Sequence, residues 1–378
     1  DRISDLRIEF LKDAAGTTDP KLRQYLLGTG YRFANILLKE EALHPVVHAN
    51  AVLILGQLNK IEAAGTNQPP VPHPALTKRL VEIVQDPKLG VVPKSVAIVE
   101  LVRHAQLRGA AQGTDRLSPQ EVEGLTALGL ELLQREKPTA SQSAAAHEWI
   151  RTRAAELLGA LRSPGKNQEV AKVLLLLVGD PSIGLDLRIQ ALRALALLDR
   201  TTLEIDSDPL EFAVGRLVAD ACGFEVRTLM DRMRRIDGGN PGPTRQEVPG
   251  FDDNQGPETI KDLRTTDTRR RLLPRLKGIQ QSLTGNPRIA LVGLVEVASP
   301  GAFEDTLKAL KNAIEILSKA DSTLDEVGSA LREQQSTLDD QYPKRRERGR
   351  RRGAEENVNG AAPEKPEPPE EPAAPVTP

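Results

Sequence analysis

The chain has 378 residues, enough for one extended domain or two ordinary ones. Its 51 lysine and arginine residues nearly balance 53 aspartate and glutamate residues, and the net charge of −2 excludes a global electrostatic attraction to nucleic acid or to anionic membranes. Aromatic residues make up only 3% of the chain, so the core is expected to consist of leucine, alanine, valine and isoleucine, which suit close packing between helices.

The first predicted elements are helices that share an Ala/Leu pattern. An alanine is followed by a leucine four residues later and, in most copies, by an apolar residue at the seventh position, which places all three on one helical face. Copies start at Ala51, Ala97, Ala154 and Ala191, and a weaker one starts at Ala290. The spacing of the first four falls around the period of about 40–47 residues found in helical-pair repeats.

Asp-Pro turns are predicted to separate the two helices of a repeat, because proline cannot continue the preceding helix. One turn begins at Asp86 and the other at Asp180, an offset of 94 residues that also relates Ala97 to Ala191. This offset holds without a gap through both helices, which is more specific than a similarity of composition.

Three residues before each of the first four repeat alanines lies a basic residue. Its place early in the second helix predicts that it reaches the turn carboxylate of its own repeat or of the next one. Stacked repeats would then form a charge ladder, a network of ion pairs instead of isolated ones. The ladder residues are His48, Asp86, Lys94, Arg151, Asp180 and Arg188.

The Asp-Pro turn, the early cation and the motif Ala-x-x-x-Leu-Gly-x-Leu, present in residues 51–58 and 154–161, together resemble HEAT repeats. The resemblance covers residues 20–200 well and 200–300 loosely. It implies an all-α solenoid over residues 1–300, with first helices on the convex side and second helices on the concave side, and protein binding more often than catalysis. Glu40 and Ser143 replace the turn aspartate in the first and third repeats, so the ladder is expected to be broken there.

Beyond residue 200 the helical pattern weakens. The single cysteine, Cys222, lies in an apolar helical stretch and is expected to be a buried, inert thiol. Residues 237–262 contain clustered glycine and proline and predict a flexible insertion. Helical patterning resumes near Thr266, with a kink expected at Pro274.

Residues 301–341 predict a terminal amphipathic, coiled-coil-like helix. Leucines recur every seven residues, but Asp321, Gly328 and Gln335 occupy partner positions where a two-stranded coiled coil disfavours them. Two alternatives follow: a helix, or a helix pair broken near Asp321, that covers the open end of the repeats, or self-association through the leucines. These leucines are Leu310, Leu317, Leu324, Leu331 and Leu338.

Residues 342–378 predict a disordered tail, because residues 361–378 are mainly proline, glutamate and alanine. A basic cluster at 344–352 offers charge-driven binding of nucleic acid or an anionic membrane, and the alternative is a solvated linker. The cluster consists of Lys344, Arg345, Arg346, Arg348, Arg350, Arg351 and Arg352.

Two apparent active sites lack essential residues. His44 and His48 have the spacing of a zinc-protease helix, but Pro45 replaces the catalytic glutamate, and His44 is expected to cap the helix instead. Residues 159–167 resemble a phosphate-binding loop, yet have one residue too many between the glycines and Asn167 in place of the metal-binding hydroxyl. No catalytic residue, cofactor or metal site is predicted.

Trp149 is the single tryptophan and precedes the third repeat alanine. A packing role is the preferred interpretation, since such large side chains are usually buried. The alternative is a binding hot spot, because tryptophan and arginine dominate interface energetics. Some HEAT-like proteins are DNA glycosylases with tryptophan and aspartate in a groove, and a similar groove enzyme would need further aromatics and an aspartate.

The leading hypothesis is a non-catalytic scaffold that binds proteins on the concave face. An adaptor tethered to nucleic acid or an anionic membrane by residues 344–352 ranks second, and a groove enzyme acting on nucleic acid ranks last. No apolar run approaches the roughly 20 residues of a membrane span. The chain begins with Asp1 instead of Met, which leaves a cleaved signal peptide open and the compartment unpredicted. Candidate partner-binding residues are Asn50, Arg103, Trp149, Arg153, Gln190 and Arg193.

Overall fold

A computed structural model describes residues 2–64, 68–139, 142–237, 257–286 and 291–343, without the side chains of 229–237 and 257–264. These residues are mostly helical, as the all-α prediction requires, and two short strand pairs accompany the helices. The helices are α1 (Arg2–Gly16), α2 (Pro20–Lys39), α3 (Pro45–Gln57), α4 (Pro74–Gln85), α5 (Val91–Ala110), α6 (Pro119–Gln134), α7 (Ala144–Leu161), α8 (Glu169–Gly179), α9 (Leu185–Leu197), α10 (Ser207–Asp237), α11 (Pro257–Thr284), α12 (Glu304–Ser318) and α13 (Leu324–Gln341). The antiparallel strand pairs are β1 (Asn59–Ile61) with β2 (Val71–Pro72), and β3 (Gly285–Asn286) with β4 (Leu291–Val292).

Side chains cap the N-termini of several helices. The Asp19 carboxylate accepts the backbone N–H groups at the start of α2, where Pro20 follows. His44 Nδ1 accepts the Val46 N–H at 3.2 Å, which confirms the predicted cap of α3. Ser118 forms a reciprocal capping box at α6. Each cap satisfies backbone donors that have no partner within the helix.

The helices pack in two layers. In one layer α3 packs on α5, α5 on α7, and α7 on α9, and α11 continues against α9. Each first helix of the pairs α2/α3, α4/α5, α6/α7 and α8/α9 packs against its own second helix, and α10 packs on α8. Five-residue connections join α2 to α3, α4 to α5 and α8 to α9, and the predicted Asp-Pro turns lie between α4 and α5 and between α8 and α9. The offset of 94 residues therefore relates two helix pairs of like architecture.

The repeat alanines and leucines form the core. Ala51, Ala97, Ala154 and Ala191 are each fully buried, as are the leucines four residues after them. The fifth predicted copy is wrong, because Leu294 lies in a short 3-10 turn instead of a second helix, and Ala290 lies outside the described residues. The apolar pattern is therefore a reliable sign of a core helix only where it continues for several turns.

Small residues set the closest approach between second helices. A Cβ atom added to Gly159 in α7 would lie 2.8 Å from the Cα atom of Ala194 in α9. The corresponding Gly56 in α3 faces the side chain of Glu100 in α5, which would lie 2.2 Å from an added Cβ. Replacing either glycine forces the neighbouring helix to move, because the packed interior has no room for an extra carbon.

The helices on both sides of the predicted insertion at 237–262 extend into it. Helix α10 extends to Asp237 and α11 already begins at Pro257, well before the expected Thr266. Residues 238–256 lie outside the described residues. Helix α11 continues through Pro274.

The segment 301–341 forms a helix pair, α12 and α13, that breaks at residues 319–323, near the predicted Asp321. Helix α12 packs on α11 and α13 packs on α10, so the pair lies against the last helices of the two layers. The five heptad leucines are buried within the chain at 6% exposure or less, so pairing between two copies through them would require this helix pair to open. The residues concerned are Leu310, Leu317, Leu324, Leu331 and Leu338.

Tyr342 ends the described helical part, at the point where the tail was predicted to start. Its ring lies edge-on to Phe212 at 6.1 Å, and its hydroxyl donates to Glu211 at 2.9 Å. Arg216 donates to the Tyr342 carbonyl at 3.0 Å and pairs with Asp339. The predicted basic cluster at 344–352 and the rest of the tail lie outside the described residues. Within the described ranges, no helix combines the length and apolar character needed to cross a bilayer.

Candidate functional site

Three of the four predicted ladder cations bind backbone carbonyls instead of the turn carboxylates. Arg188 donates to the Val178 carbonyl at 2.9 Å, and Arg151 donates to the Leu133 carbonyl at 2.8 Å. His48 contacts the Glu40 carbonyl at 3.0 Å. Each acceptor lies at the C-terminal end of the preceding first helix, where carbonyls lack partners within the helix. The cations therefore fasten each second helix to the end of its first helix.

The turn aspartates act locally, which corrects the predicted charge ladder. Asp86 accepts the Lys88 N–H at 2.9 Å, and Asp180 accepts both the backbone N–H and the hydroxyl of Ser182. Across the described residues, neither aspartate forms an ion pair with a ladder cation. Burial lowers the pKa of Lys94, and nearby Asp86 opposes that shift through space. The ladder residues therefore make helix-end contacts, and the turn aspartates act on the cations only through space, Asp86 on Lys94 and Asp180 on Arg151.

Arg188 makes the strongest connection of this kind. Its side chain is only 3% exposed and pairs with Asp220 of α10 at 2.9 Å, and Asp220 also pairs with Arg216 at 2.6 Å. This network ties α8, α9 and α10 together. A buried arginine with several acceptors is costly to remove, since its partners would be left without a donor.

Two of the six candidate partner-binding residues have internal structural roles. Asn50 is 6% exposed, and its side chain donates to the Val46 carbonyl at 2.8 Å. Arg103 donates to the Gly56 carbonyl at 2.7 Å and to Asn59 at 2.8 Å, which anchors the connection after α3. Both side chains are therefore engaged within the chain, and their role in partner binding stays a prediction.

Trp149 is 40% exposed, so the predicted packing role is wrong. The guanidinium carbon of Arg153 lies 5.4 Å from the centroid of its ring, and the Arg153 guanidinium also pairs with Glu156 at 2.5 Å. A stacked arginine holds the indole in place while its other face stays accessible. Trp149 and Arg153 therefore form a preorganised cation–π pair on the surface of α7.

Trp149 belongs to a larger feature, here named the apolar track: Val46 on α3, Val92 and Val99 on α5, and Trp149 on α7. Their exposures are 48%, 40%, 39% and 40%. Val46, Val92 and Trp149 each lie five residues before the repeat alanine of their helix. At 100° per residue this position lies about 140° around the helix from the alanine, away from the core. Since α3, α5 and α7 pack in succession, the track runs along one side of the second-helix layer.

The track ends at α9, where Asp186 occupies the position equivalent to Trp149. Arg275 of α11 forms two hydrogen bonds to the Asp186 carboxylate, at 2.8 and 2.9 Å. The apolar track is thus bounded by a charged contact. The exposed position five residues before each repeat alanine could have been found in the sequence, since an apolar residue occupies it in three helices.

A groove of ≈ 1840 Å³ lies along α5, α6, α7 and α9. It is lined by the C-terminal parts of α5, α7 and α9, by α6, and by the connections 162–166 and 199–202. Gln190 and Arg193, both predicted as partner-binding residues, lie in its wall, as does Glu156. Trp149 and Arg153 are connected to the groove through the Arg153–Glu156 pair.

A buried polar chain lies behind this surface. Arg108 donates to Thr77 at 2.9 Å, the Thr77 hydroxyl lies 3.0 Å from His104 Nδ1, and His104 Nε2 lies 2.9 Å from the Gly56 carbonyl. The chain is consistent with a neutral imidazole protonated on Nε2. Burial lowers the pKa of His104 to about 4, although its bond to the Gly56 carbonyl opposes the shift. His104 has no exposed surface, so this chain stabilises the fold.

The single cysteine and the predicted phosphate-loop look-alike have simple local structures. Cys222 is buried, and burial raises its pKa to about 12, which keeps the thiol protonated. Residues 159–167 continue from the end of helix α7, and Arg162 ends that helix in the left-handed conformation at φ 57°. Within the described part of the chain, no group of three or more histidine, cysteine, aspartate or glutamate residues is arranged to hold a metal ion.

Comparison of the chain with protein-family models, with curated proteins and with solved structures found no match.

Proposed function

We propose that this protein is a non-catalytic scaffold, a HEAT-like α-solenoid that binds proteins on the side of its second helices. Supporting the solenoid interpretation are the consecutive packing of α3, α5, α7 and α9 and the offset of 94 residues between two helix pairs. A solenoid offers an extended surface of equivalent positions from successive repeats, which suits recognition through many small contacts.

The apolar track is the observation that carries the proposal. Scattered exposed apolar residues need no explanation, but exposed apolar residues at the same offset in three successively packed helices favour an interaction surface. Trp149 adds the residue type that most often dominates binding energy, and Arg153 holds its ring in place. Burying a residue of this kind in an interface contributes about 2 kcal/mol or more to affinity at hot spots.

The test is quantitative affinity capture from native lysate with the full chain, a track variant and a control variant. Val92→Asp combined with Trp149→Asp places charges on the apolar track. Leu176→Asp is the control, because Leu176 is 72% exposed on the first helix α8 and lies away from the track. Thermal unfolding must show that both variants keep the fold.

We expect the wild type and the control to retain the same proteins, and the track variant to lose them. Equal capture by all three proteins overturns the proposal. A chain ending at residue 343 and a nuclease treatment test the competing adaptor function. Capture that needs the segment after 343 and disappears with nuclease assigns binding to the basic cluster at 344–352.

A further inference from the structure

The groove beside the second helices is larger than a usual small-molecule pocket. Its volume of ≈ 1840 Å³ exceeds the range of about 300–1,000 Å³ that is usual for small-molecule pockets. Val122, Leu130, Leu161 and Leu197 line it, and each is only half-buried, so they expose apolar surface in the groove. Such a surface matches apolar side chains that project from one face of an amphipathic segment.

The charges in the groove divide into paired and unpaired groups. Lys166 pairs with Glu123 at 2.5 Å, and Arg200 pairs with Glu296 at 2.8 Å, so these cations already have carboxylate partners. Arg116, Arg162 and Arg193 also line the groove, and all three are exposed. Over the ranges that the structure describes, their side chains make no hydrogen bond or ion pair.

The lining carboxylates offset these three arginines only in part, because Asp199 and Glu169 are the lining carboxylates without an ion pair among the described residues, which leaves an excess of one positive charge. Glu156 is paired with Arg153, and the Asp199 carboxylate accepts the backbone N–H and hydroxyl of Thr201. Glu169 is the one lining carboxylate that has no hydrogen bond or ion pair within the described part of the chain. Three free guanidinium groups around an apolar floor are complementary to carboxylates, which arginine binds through two parallel hydrogen bonds.

We propose that this groove binds an acidic amphipathic peptide segment of a partner protein, with carboxylates on Arg116, Arg162 and Arg193 and apolar side chains on the leucines. The inference rests on the proposed scaffold function and names the chemistry of its partner. We expect the same peptide segment to contact the Trp149–Arg153 pair, because Arg153 contacts both the indole and Glu156 of the groove wall.

The experiment measures fluorescence anisotropy of a labelled peptide in which pairs of glutamate alternate with pairs of leucine. Two matched peptides replace every glutamate by lysine or every leucine by serine. The proteins are the full chain, the double variant Arg116→Glu/Arg193→Glu, and Arg32→Glu as a control of the same charge type. Arg32 is exposed on α2 and does not line the groove.

We expect the wild type and Arg32→Glu to bind the acidic peptide alike and the double variant to bind it at least about tenfold more weakly. The serine peptide should bind more weakly than the leucine peptide, and affinity should fall with added salt. Absence of binding, equal affinity for the lysine peptide, or unchanged affinity of the double variant overturns the inference.

The two proposals fail in distinguishable ways. If the peptide does not bind but native partners are lost from the Val92→Asp/Trp149→Asp variant, the scaffold function stands and the acidic specificity is wrong. If the peptide binds but no captured protein depends on the track, the groove site stands and the scaffold surface is wrong.

Discussion

Arg153 lies over the ring of Trp149, with its guanidinium carbon 5.4 Å from the ring centroid, on the exposed side of α7. The cation covers one face of the only tryptophan in the chain and leaves the indole 40% exposed. Intrinsic fluorescence therefore reports on this one place without any label.

The stacking predicts that Arg153→Ala exposes the indole further. Quenching of tryptophan fluorescence by acrylamide should increase, and stability should fall by no more than about 1 kcal/mol, because the pair is at the surface. Arg193→Ala is the control, since Arg193 is an exposed arginine of the neighbouring α9 that does not contact Trp149. Equal quenching in both variants and the wild type would show that the stack does not form in solution.

The close approach of α7 and α9 predicts opposite effects for two glycine substitutions. Gly159→Ala should destabilise the protein by about 1–3 kcal/mol, because the new methyl group meets the backbone of Ala194. Gly124→Ala should stabilise it by up to about 1 kcal/mol, because Gly124 lies on α6 with no atom within 4 Å of an added Cβ. Chemical denaturation measures both, and a neutral result for Gly159→Ala would contradict the packing described here.

The helix-end contacts predict that the ladder residues differ in how much they contribute to the free energy of unfolding. Arg188→Ala should cost about 3 kcal/mol or more, because it leaves the buried Val178 carbonyl without its donor and removes one of the two arginines that pair with Asp220. Lys94→Ala should cost less than about 1 kcal/mol, since its position is partly exposed and it forms no ion pair in the described structure. Denaturant titration of both variants checks the order, and equal losses would restore the charge-ladder interpretation.

The buried His104 predicts a loss of stability in acid. Burial lowers its folded pKa to about 4 from 6.5, so the unfolded chain takes up a proton first as the pH falls. Stability from the neutral imidazole is complete above pH 6.5 and declines towards pH 4, by about 3 kcal/mol in total. Glu100 acts in the opposite sense, because burial raises its pKa and its protonation favours the folded state.

Comparison with His104→Gln separates the two effects. The variant keeps Glu100, so the difference between the two free energies of unfolding, measured from pH 7 to pH 4, isolates the histidine. The wild type should lose more stability than the variant across this window. Parallel pH profiles would show that His104 titrates normally in the folded protein.

Much of the fold could be predicted because its signals are local. The Asp-Pro turns mark helix ends through the geometry of proline, and the Ala/Leu spacing selects one face of each second helix. The break near Asp321 also follows from local sequence. By contrast, the burial of the heptad leucines depends on α10 and α11, which are distant in the chain, and a periodic pattern does not reveal which surface covers it.

The site was predicted only in part, for a similar reason. Arg153, Gln190 and Arg193 were placed on the second helices. By contrast, the orientation of Asn50 depends on the Val46 carbonyl in its own helix, and that of Arg103 on the Gly56 carbonyl near the end of α3. Trp149 could have been placed correctly from its offset to Ala154. The general tendency of tryptophan to be buried outweighed that geometric signal.

The most direct test of the scaffold account is site-specific photo-crosslinking in native lysate, with a benzophenone amino acid at position 92 on the apolar track or at position 176 on α8. The account predicts crosslinked partner protein from position 92 and little or none from position 176. Crosslinking at position 176 that equals or exceeds that at position 92 would contradict a binding surface on the side of the second helices.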